Sequence, residues 1–91
     1  MLFMVHMQLD IPADMPVAQA DEIKAREKTY SQQLQREGKW PHIWRVVGES
    51  ANYSVFDAAD NDELHALLSG LPLFPYLKIK VTALARHPVA I

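Results

Sequence analysis

Apolar residues recur at every second position near both ends of this chain, and this alternation restricts the fold more than any other feature. Near the N-terminus, one set of alternate positions holds only large apolar side chains: Phe3, Val5, Met7 and Leu9. Near the C-terminus, Lys78 and Lys80 lie between members of a second apolar series: Leu77, Ile79, Val81 and Ala83. Because successive side chains of a strand point to opposite faces, both segments are predicted to be strands of a sheet with one buried face.

The first part of the intervening segment predicts a long helix followed by a hairpin. The helix is expected from about Met15 to Glu37, with Asp14 as its N-cap and Pro16 in its first turn. Gly38 can supply the left-handed residue that ends it. Two β-rich runs within residues 39–56 flank a turn that contains a glycine, and this pattern is typical of a hairpin.

A second, shorter helix is predicted between the hairpin and the last strand. Asp60 and Glu63 have the spacing of a capping box, and Gly70 and Pro72 stop the helix. Its apolar stripe consists of Leu64, Leu67, Leu68 and Leu71. The resulting order, β-α-β-β-α-β, is the ferredoxin-like arrangement, an α+β fold with a four-stranded antiparallel sheet and both helices on one face.

Two features predict self-association: the small size of the domain, which limits how much surface it can bury by itself, and the apolar sheet face that the helices leave uncovered. Residues 1–91 are expected to form a single domain, and 49% of them are hydrophobic. The sheet face away from the helices would carry Leu2, Met4 and His6, so we expect it to pack against the sheet of a second copy in a dimer. The tail, residues 84–91, either exchanges with a neighbouring subunit or frays.

Charge and composition exclude several classes of function. Nine Lys and Arg against eleven Asp and Glu give a net charge of −2 without a basic block, so neither nucleic acid nor an anionic membrane is an expected partner. The chain has no cysteine, and no apolar run approaches the roughly 18–20 residues that span a membrane. No secretory signal pattern is present, which predicts a cytoplasmic protein.

The sequence also contains no pattern that binds a metal or another cofactor. Four histidines lack the spacing of metal ligands, and there is neither a glycine-rich phosphate loop nor a nucleophile turn. Any reaction is therefore expected to proceed without a cofactor.

Glu27 is the main candidate for catalysis because it interrupts the apolar stripe of the long helix. The stripe that it interrupts consists of Ala20, Ile23, Tyr30 and Leu34. Burial raises the pKa of a carboxyl group, and the ammonium group of Lys24 at the edge of the stripe would lower it again, which together suit a base that works near neutral pH. The alternative is that Glu27 reaches solvent and pairs with Lys24 or Lys28.

Four further residues on the predicted strands are candidates for binding a substrate. Arg45 can hold a carboxylate through two hydrogen bonds, or it is an edge-strand charge that faces water. Asn52 and Ser54 lie on one face and can orient a carbonyl group, or they bond to their own backbone. His6 is the fourth candidate, although a single strand histidine is more often structural.

Several segments resemble the muconolactone Δ-isomerase family over essentially the whole chain. They include Ile43-Trp44-Arg45 and Arg86-His87-Pro88, and the more specific combinations are Ala51-Asn52-Tyr53-Ser54-Val55-Phe56-Asp57 and Leu71-Pro72-Leu73-Phe74-Pro75-Tyr76. The family's Lys-Ala-x-Glu-Lys motif falls on residues 24–28, so the resemblance and the helical pattern point to the same residue, Glu27.

The resemblance implies an assembly and a reaction. The assembly is a homodecamer built from dimers, with active sites between subunits that are partly closed by exchanged C-terminal segments. The reaction is the conversion of (+)-muconolactone to 3-oxoadipate enol-lactone, a cofactor-free 1,3 proton shift in catechol degradation through the β-ketoadipate pathway. By the resulting hypothesis Glu27 moves the proton, Lys24, Asn52 or Ser54 stabilises the dienolate oxygen, and Arg45 binds the substrate carboxylate.

One departure from the family pattern leaves alternatives open. Ser50 stands where the family commonly has tyrosine, so a methyl- or chloro-substituted muconolactone is an alternative substrate. A dimeric α+β-barrel protein that binds small aromatics or acts as a monooxygenase is the competing class.

Overall fold

The structure, a computed structural model, describes all residues from 1 to 91 and has the predicted β-α-β-β-α-β order. A short 3-10 helix, Phe74–Tyr76, precedes the last strand. The main elements are β1 (Leu2–Leu9), α1 (Val17–Arg36), β2 (His42–Arg45), β3 (Ala51–Asp57), α2 (Asn61–Ser69) and β4 (Leu77–Leu84).

The four strands form one antiparallel sheet in the order β2-β3-β1-β4. The first strand is central, and its Val5 lies opposite Ser54 of β3 on one side and Val81 of β4 on the other. This arrangement confirms the ferredoxin-like α+β fold that the sequence predicted.

The core lies between the sheet and both helices. Alternate residues of β1 are buried: Phe3 is 1% exposed, Val5 is 0% exposed and Met7 is 2% exposed. They belong to one buried cluster with Phe56 of β3, Leu34 of α1, and Leu64 and Leu68 of α2. Because these strand residues share one face of the sheet, both helices cover that same face.

The predicted start of the long helix was wrong, whereas its end was correct. The helix begins at Val17 with Pro16 as the N-cap residue, and Asp14 makes no capping hydrogen bond. A proline disfavours helical backbone in the residue before it, so the helix cannot extend back to Met15. Gly38 has φ +77° and supplies the left-handed residue after the helix, as predicted.

The second helix has the predicted N-terminal cap. The side chain of Asp60 accepts a hydrogen bond from the Glu63 backbone N–H at 2.8 Å. Glu63 in turn accepts from the backbone N–H of Ala59 at 3.1 Å, one residue before the expected donor. The hairpin is also present, although β2 has only 4 residues.

The outer face of the sheet, defined here as the face away from the helices, exposes large apolar side chains. The exposed fractions of these residues are 46% for Leu2, 37% for Met4, 70% for Trp44, 50% for Tyr53 and 40% for Leu84. Residues 85–91 lie beyond β4 and are exposed. None of the helices combines the length and the apolar character that crossing a membrane requires.

Candidate active site

A cavity of about 570 Å³ lies on the helix-facing side of the sheet, next to α1 and the segment that follows α2. This volume falls within the range of small-molecule sites, about 300–1,000 Å³. Seven of its thirteen lining residues are hydrophobic. The lining consists of Met7, Leu9, Lys24, Glu27, Ser31, Trp40, Ile43, Arg45, Ser50, Ala51, Asn52, Leu73 and Leu77.

Glu27 lies in the cavity wall and is partly buried. Its Oε1 accepts a hydrogen bond of 2.9 Å from the backbone N–H of Leu73. Neither Lys24 nor Lys28 forms an ion pair with it, since the three ion pairs of the chain involve other carboxylates. Glu27 therefore has the partly apolar environment that the helical pattern indicated.

Two opposing effects set the pKa of Glu27. Burial raises this pKa above its ordinary value, and the hydrogen bond from the Leu73 amide lowers it to a smaller extent. The sequence suggested Lys24 as the group that opposes burial, but in the structure it is a backbone amide. A carboxylate that binds a proton more tightly than usual is suited to accept one from a weakly acidic carbon.

The cavity also contains two cationic side chains. Lys24 lies on α1, three residues before Glu27, and Arg45 lies on β2 opposite Asn52 of β3. Arg45 makes one long hydrogen bond, from Nη1 to the carbonyl oxygen of Glu49 at 3.4 Å. Both side chains are exposed, so an anionic ligand can reach them from solvent.

Asn52 and Ser54 occupy different positions relative to the cavity. Asn52 lines it, whereas Ser54 is only 1% exposed and is not part of the lining. The Ser54 hydroxyl donates to Asn52 Oδ1 at 2.7 Å. This bond occupies the carbonyl end of the Asn52 amide, so its NH₂ group remains available as a donor.

His6 lies across the sheet from the cavity. It is on the outer face, where its ring packs against Tyr53 with centroids 4.7 Å apart. Its neighbours in the β1 sequence, Val5 and Met7, face the helices instead. The structure therefore does not bring His6 to the cavity of its own chain.

Sequence reasoning missed several groups of the cavity wall, among them the Leu73 amide and Trp40. The Leu73 amide has no side-chain signature, and only the two prolines nearby indicated an irregular segment at this point. Trp40 stacks on Phe56 with centroids 4.5 Å apart and also lines the cavity. Its Nε1 is buried without a hydrogen-bond partner. No cluster of three potential metal ligands is present in the chain.

The fold and the cavity together define a class of protein. It is a ferredoxin-like α+β domain in which a partly buried carboxylate and two cationic side chains share one cavity. Comparison with known proteins identifies the family within this class.

The model of the family described as muconolactone delta-isomerase matches residues 1–90. A muconolactone Δ-isomerase from Cupriavidus pinatubonensis is 67% identical over 91 residues, which cover 100% of this chain and 99% of that protein. Muconolactone Δ-isomerase 1 from Acinetobacter lwoffii is 68% identical, with 100% and 95% covered. The chain therefore belongs to the muconolactone Δ-isomerase family, a family of isomerases.

Solved structures agree with this assignment. A crystal structure of muconolactone isomerase matches with a TM-score of 0.95 and 53% identity, covering 100% of this chain and 95% of that one. A 5-chloro-2-hydroxyhydroquinone dehydrochlorinase from Burkholderia phenoliruptrix matches with a TM-score of 0.70 and 16% identity, covering 96% of each chain. At this identity the second match shows the shared fold alone. Family membership favours the isomerase over the competing α+β-barrel class.

Proposed function

We propose that this protein converts (+)-muconolactone to 3-oxoadipate enol-lactone by a 1,3 proton shift, within catechol degradation through the β-ketoadipate pathway. The observation that carries the proposal is the partly buried Glu27, which faces a cavity of small-molecule size and has a raised pKa. Membership of the muconolactone Δ-isomerase family supports the choice of substrate.

Glu27 acts as the single base of the reaction. Its Oε1 is held by the Leu73 amide, so Oε2 remains free to take the proton from the ring carbon that carries the acetate side chain. As that C–H bond breaks, its electron pair moves through the ring double bond to the carbonyl oxygen and forms a dienolate. The protonated carboxyl then returns the proton to the carbon beside the carbonyl, which leaves the double bond one position further along the ring.

The negative charge of the dienolate requires a donor that is already in place. The amide NH₂ of Asn52, whose oxygen is held by Ser54, is one donor at the cavity wall, and the ammonium group of Lys24 is a second. Fixed donors aimed at a developing oxyanion typically contribute about 10²–10³-fold in rate. Ser54 acts through Asn52, because its own hydroxyl is buried and already engaged.

Arg45 binds the acetate carboxylate of the substrate. Its guanidinium lies at the cavity wall, and its one hydrogen bond, at 3.4 Å, is easily replaced by a stronger bond to an anion. This role places the two charges of the bound complex at different parts of the cavity, with the carboxylate at β2 and the dienolate near α1 or β3.

The active assembly is a homo-oligomer, for which we propose a decamer built from sheet-packed dimers. The exposed apolar residues on the outer face support the dimer, since a patch of this kind marks an interaction surface. In this assembly residues 84–91 of one subunit cover the cavity of a neighbour. His6, on the outer face, would then belong to a subunit interface. We further propose that residues 1–91 form one domain and that the protein is cytoplasmic.

A second candidate substrate is a methyl- or chloro-substituted muconolactone. The observation in its favour is that Ser50, which has a small side chain, lines the cavity. Serine at this position fills less of the cavity than a tyrosine would. Removal of the same proton from a chlorinated lactone, followed by departure of chloride, would need no base other than Glu27.

The test is to mix the purified protein with (+)-muconolactone and follow the ultraviolet absorbance of the conjugated lactone, with Glu27→Gln in parallel. The parental protein is expected to remove the absorbance, and the variant to be slower by about 10²–10⁴-fold, the usual contribution of a general base. Circular dichroism checks that both are folded. A variant with a near-parental rate would overturn the role of Glu27. An inactive but folded parental protein would shift the proposal to the substituted lactones, tested in the same assay.

A further inference from the structure

The phenol of Tyr30 connects the two helices close to the cavity. Tyr30 lies three residues after Glu27 on α1, and its hydroxyl donates to the carbonyl oxygen of Leu67 in α2 at 2.9 Å. A Cβ atom at Gly70 would lie only 2.6 Å from the Tyr30 hydroxyl oxygen. Gly70 has φ −78°, which any residue can adopt, so glycine is needed here for space. The missing side chain makes room for the phenol.

The chain reaches the Leu73 amide only three residues after Gly70, and hydrogen bonds hold this segment. The backbone N–H of Leu71 donates to Leu68 at 3.1 Å, and that of Phe74 donates to Leu71 at 2.9 Å. The side chains of Leu71 and Leu73 are buried, with 2% and 8% exposed. A displacement of the last turn of α2 therefore moves the Leu73 amide with it.

We propose that Tyr30 is a positioning residue, whose hydrogen bond to Leu67 keeps the Leu73 amide in place on the Glu27 carboxylate. Tyr30 is absent from the cavity lining. It controls which way the carboxylate points and how tightly it binds a proton. This inference rests on the proposed function, in which Glu27 is the base.

The direction of the effect follows from the groups around Glu27. The Leu73 amide is the contact that lowers its pKa, and burial is the larger effect that raises it. The other charged groups at the cavity are Lys24 on α1 and Arg45 on β2. When the Leu73 amide is no longer held, burial is opposed less and the pKa of Glu27 rises further. As the pH falls, the carboxylate form of Glu27 is then lost at a higher pH than in the parental protein.

The experiment compares Tyr30→Phe with the parental protein and with Tyr76→Phe. The control removes the same hydroxyl from a tyrosine that makes no side-chain hydrogen bond in the structure. The pH dependence of kcat/KM is measured for (+)-muconolactone, and the Glu27 carboxyl is titrated directly by carbon-13 NMR in protein with labelled glutamate.

For Tyr30→Phe we expect the acid side of the kcat/KM profile to move to higher pH, together with the NMR titration of Glu27. The rate on that side should fall by about two- to tenfold, the range of one neutral hydrogen bond, while the alkaline plateau stays near the parental rate. Tyr76→Phe should match the parental protein in both measurements. An unchanged Glu27 titration in folded Tyr30→Phe would overturn the proposal.

A second variant covers the case in which Tyr30→Phe does not fold. Gly70→Ala keeps the hydroxyl but pushes it away from Leu67, so it should shift the Glu27 titration in the same direction. If the titration does not shift in Gly70→Ala, the proposal is wrong. A near-parental rate in Glu27→Gln would instead show that the proposed function of Glu27 is wrong. The NMR titration of Glu27 tests the role of Tyr30 independently of that result.

Discussion

At the scale of single residues, Glu27 shows how a useful group can weaken the fold. Its carboxylate is more easily protonated than usual because burial disfavours the charge, and only one hydrogen bond from Leu73 offsets this effect. The folded chain therefore holds a proton at Glu27 more tightly than the unfolded chain does. The stability that this group contributes is full below its ordinary pKa and is lost as pH rises through the raised value.

This linkage predicts that Glu27→Gln stabilises the protein at neutral and alkaline pH. Glutamine has no charge to desolvate, and its side-chain oxygen can still accept the Leu73 N–H. Calorimetry should give a higher Tm than the parental protein at pH 8, and the difference should shrink toward pH 4, where Glu27 is protonated. A lower Tm than parental at pH 8 would contradict this explanation. Asp21→Asn, on the exposed surface of α1 and without an ion pair, is the matched control.

The residues of the cavity differ in how well the sequence predicted them. Glu27 was identified because a charge interrupted an apolar helical stripe, which is visible in the sequence. Asn52 and Ser54 were assigned to one face correctly, but only the register shows that Ser54 lies opposite Val5 in the core and Asn52 opposite Met7 at the cavity. The Leu73 amide could not be predicted, because a backbone donor leaves no mark in the amino-acid sequence.

At the scale of elements, local signals correctly predicted the end of α1 and the start of α2. The capping box at Asp60 and the left-handed Gly38 were both found where the sequence indicated them. Asp14 failed as a cap because Pro16, two residues later, restricts the backbone before it. At the start of α1 the steric effect of Pro16 prevails over the capping preference of Asp14.

The cap of α2 gives a prediction at this scale. Asp60→Ala removes the acceptor for the Glu63 N–H and should cost about 0.5–2 kcal/mol of unfolding free energy. For a domain of this size, each kcal/mol corresponds to roughly 4–8 °C in Tm. Asp60→Asn keeps the acceptor and serves as the control. Equal melting temperatures for Asp60→Ala and Asp60→Asn would show that the cap does not stabilise the helix.

At the scale of the whole molecule, the sequence predicted only part of the outer face of the sheet. The alternation along β1 correctly placed Leu2, Met4 and His6 on the face opposite the helices. The exposed Trp44 and Tyr53 extend this face across β2 and β3. Their alignment depends on strand pairing between distant segments, which a local pattern does not determine.

A charge at the centre of this face should break the proposed assembly. Met4 lies between Val55 and Thr82 in neighbouring strands, so Met4→Glu would place a carboxylate in the middle of a sheet-to-sheet contact. Sedimentation velocity should show smaller species for this variant. The control is Gln32→Glu, an exposed position on α1. If Met4→Glu sediments like the parental protein, subunits do not associate through this face.

The central position of β1 also has a consequence for how the chain folds. Leu2 pairs with Leu84, so during synthesis β1 acquires its second neighbour only after β4 has been made. Contacts between such distant segments raise the contact order and slow folding, because a long loop must close before they form. Until then one edge of the apolar strand β1 has no hydrogen-bonded neighbour. The finished fold forms slowly, but in it β1 is paired on both sides.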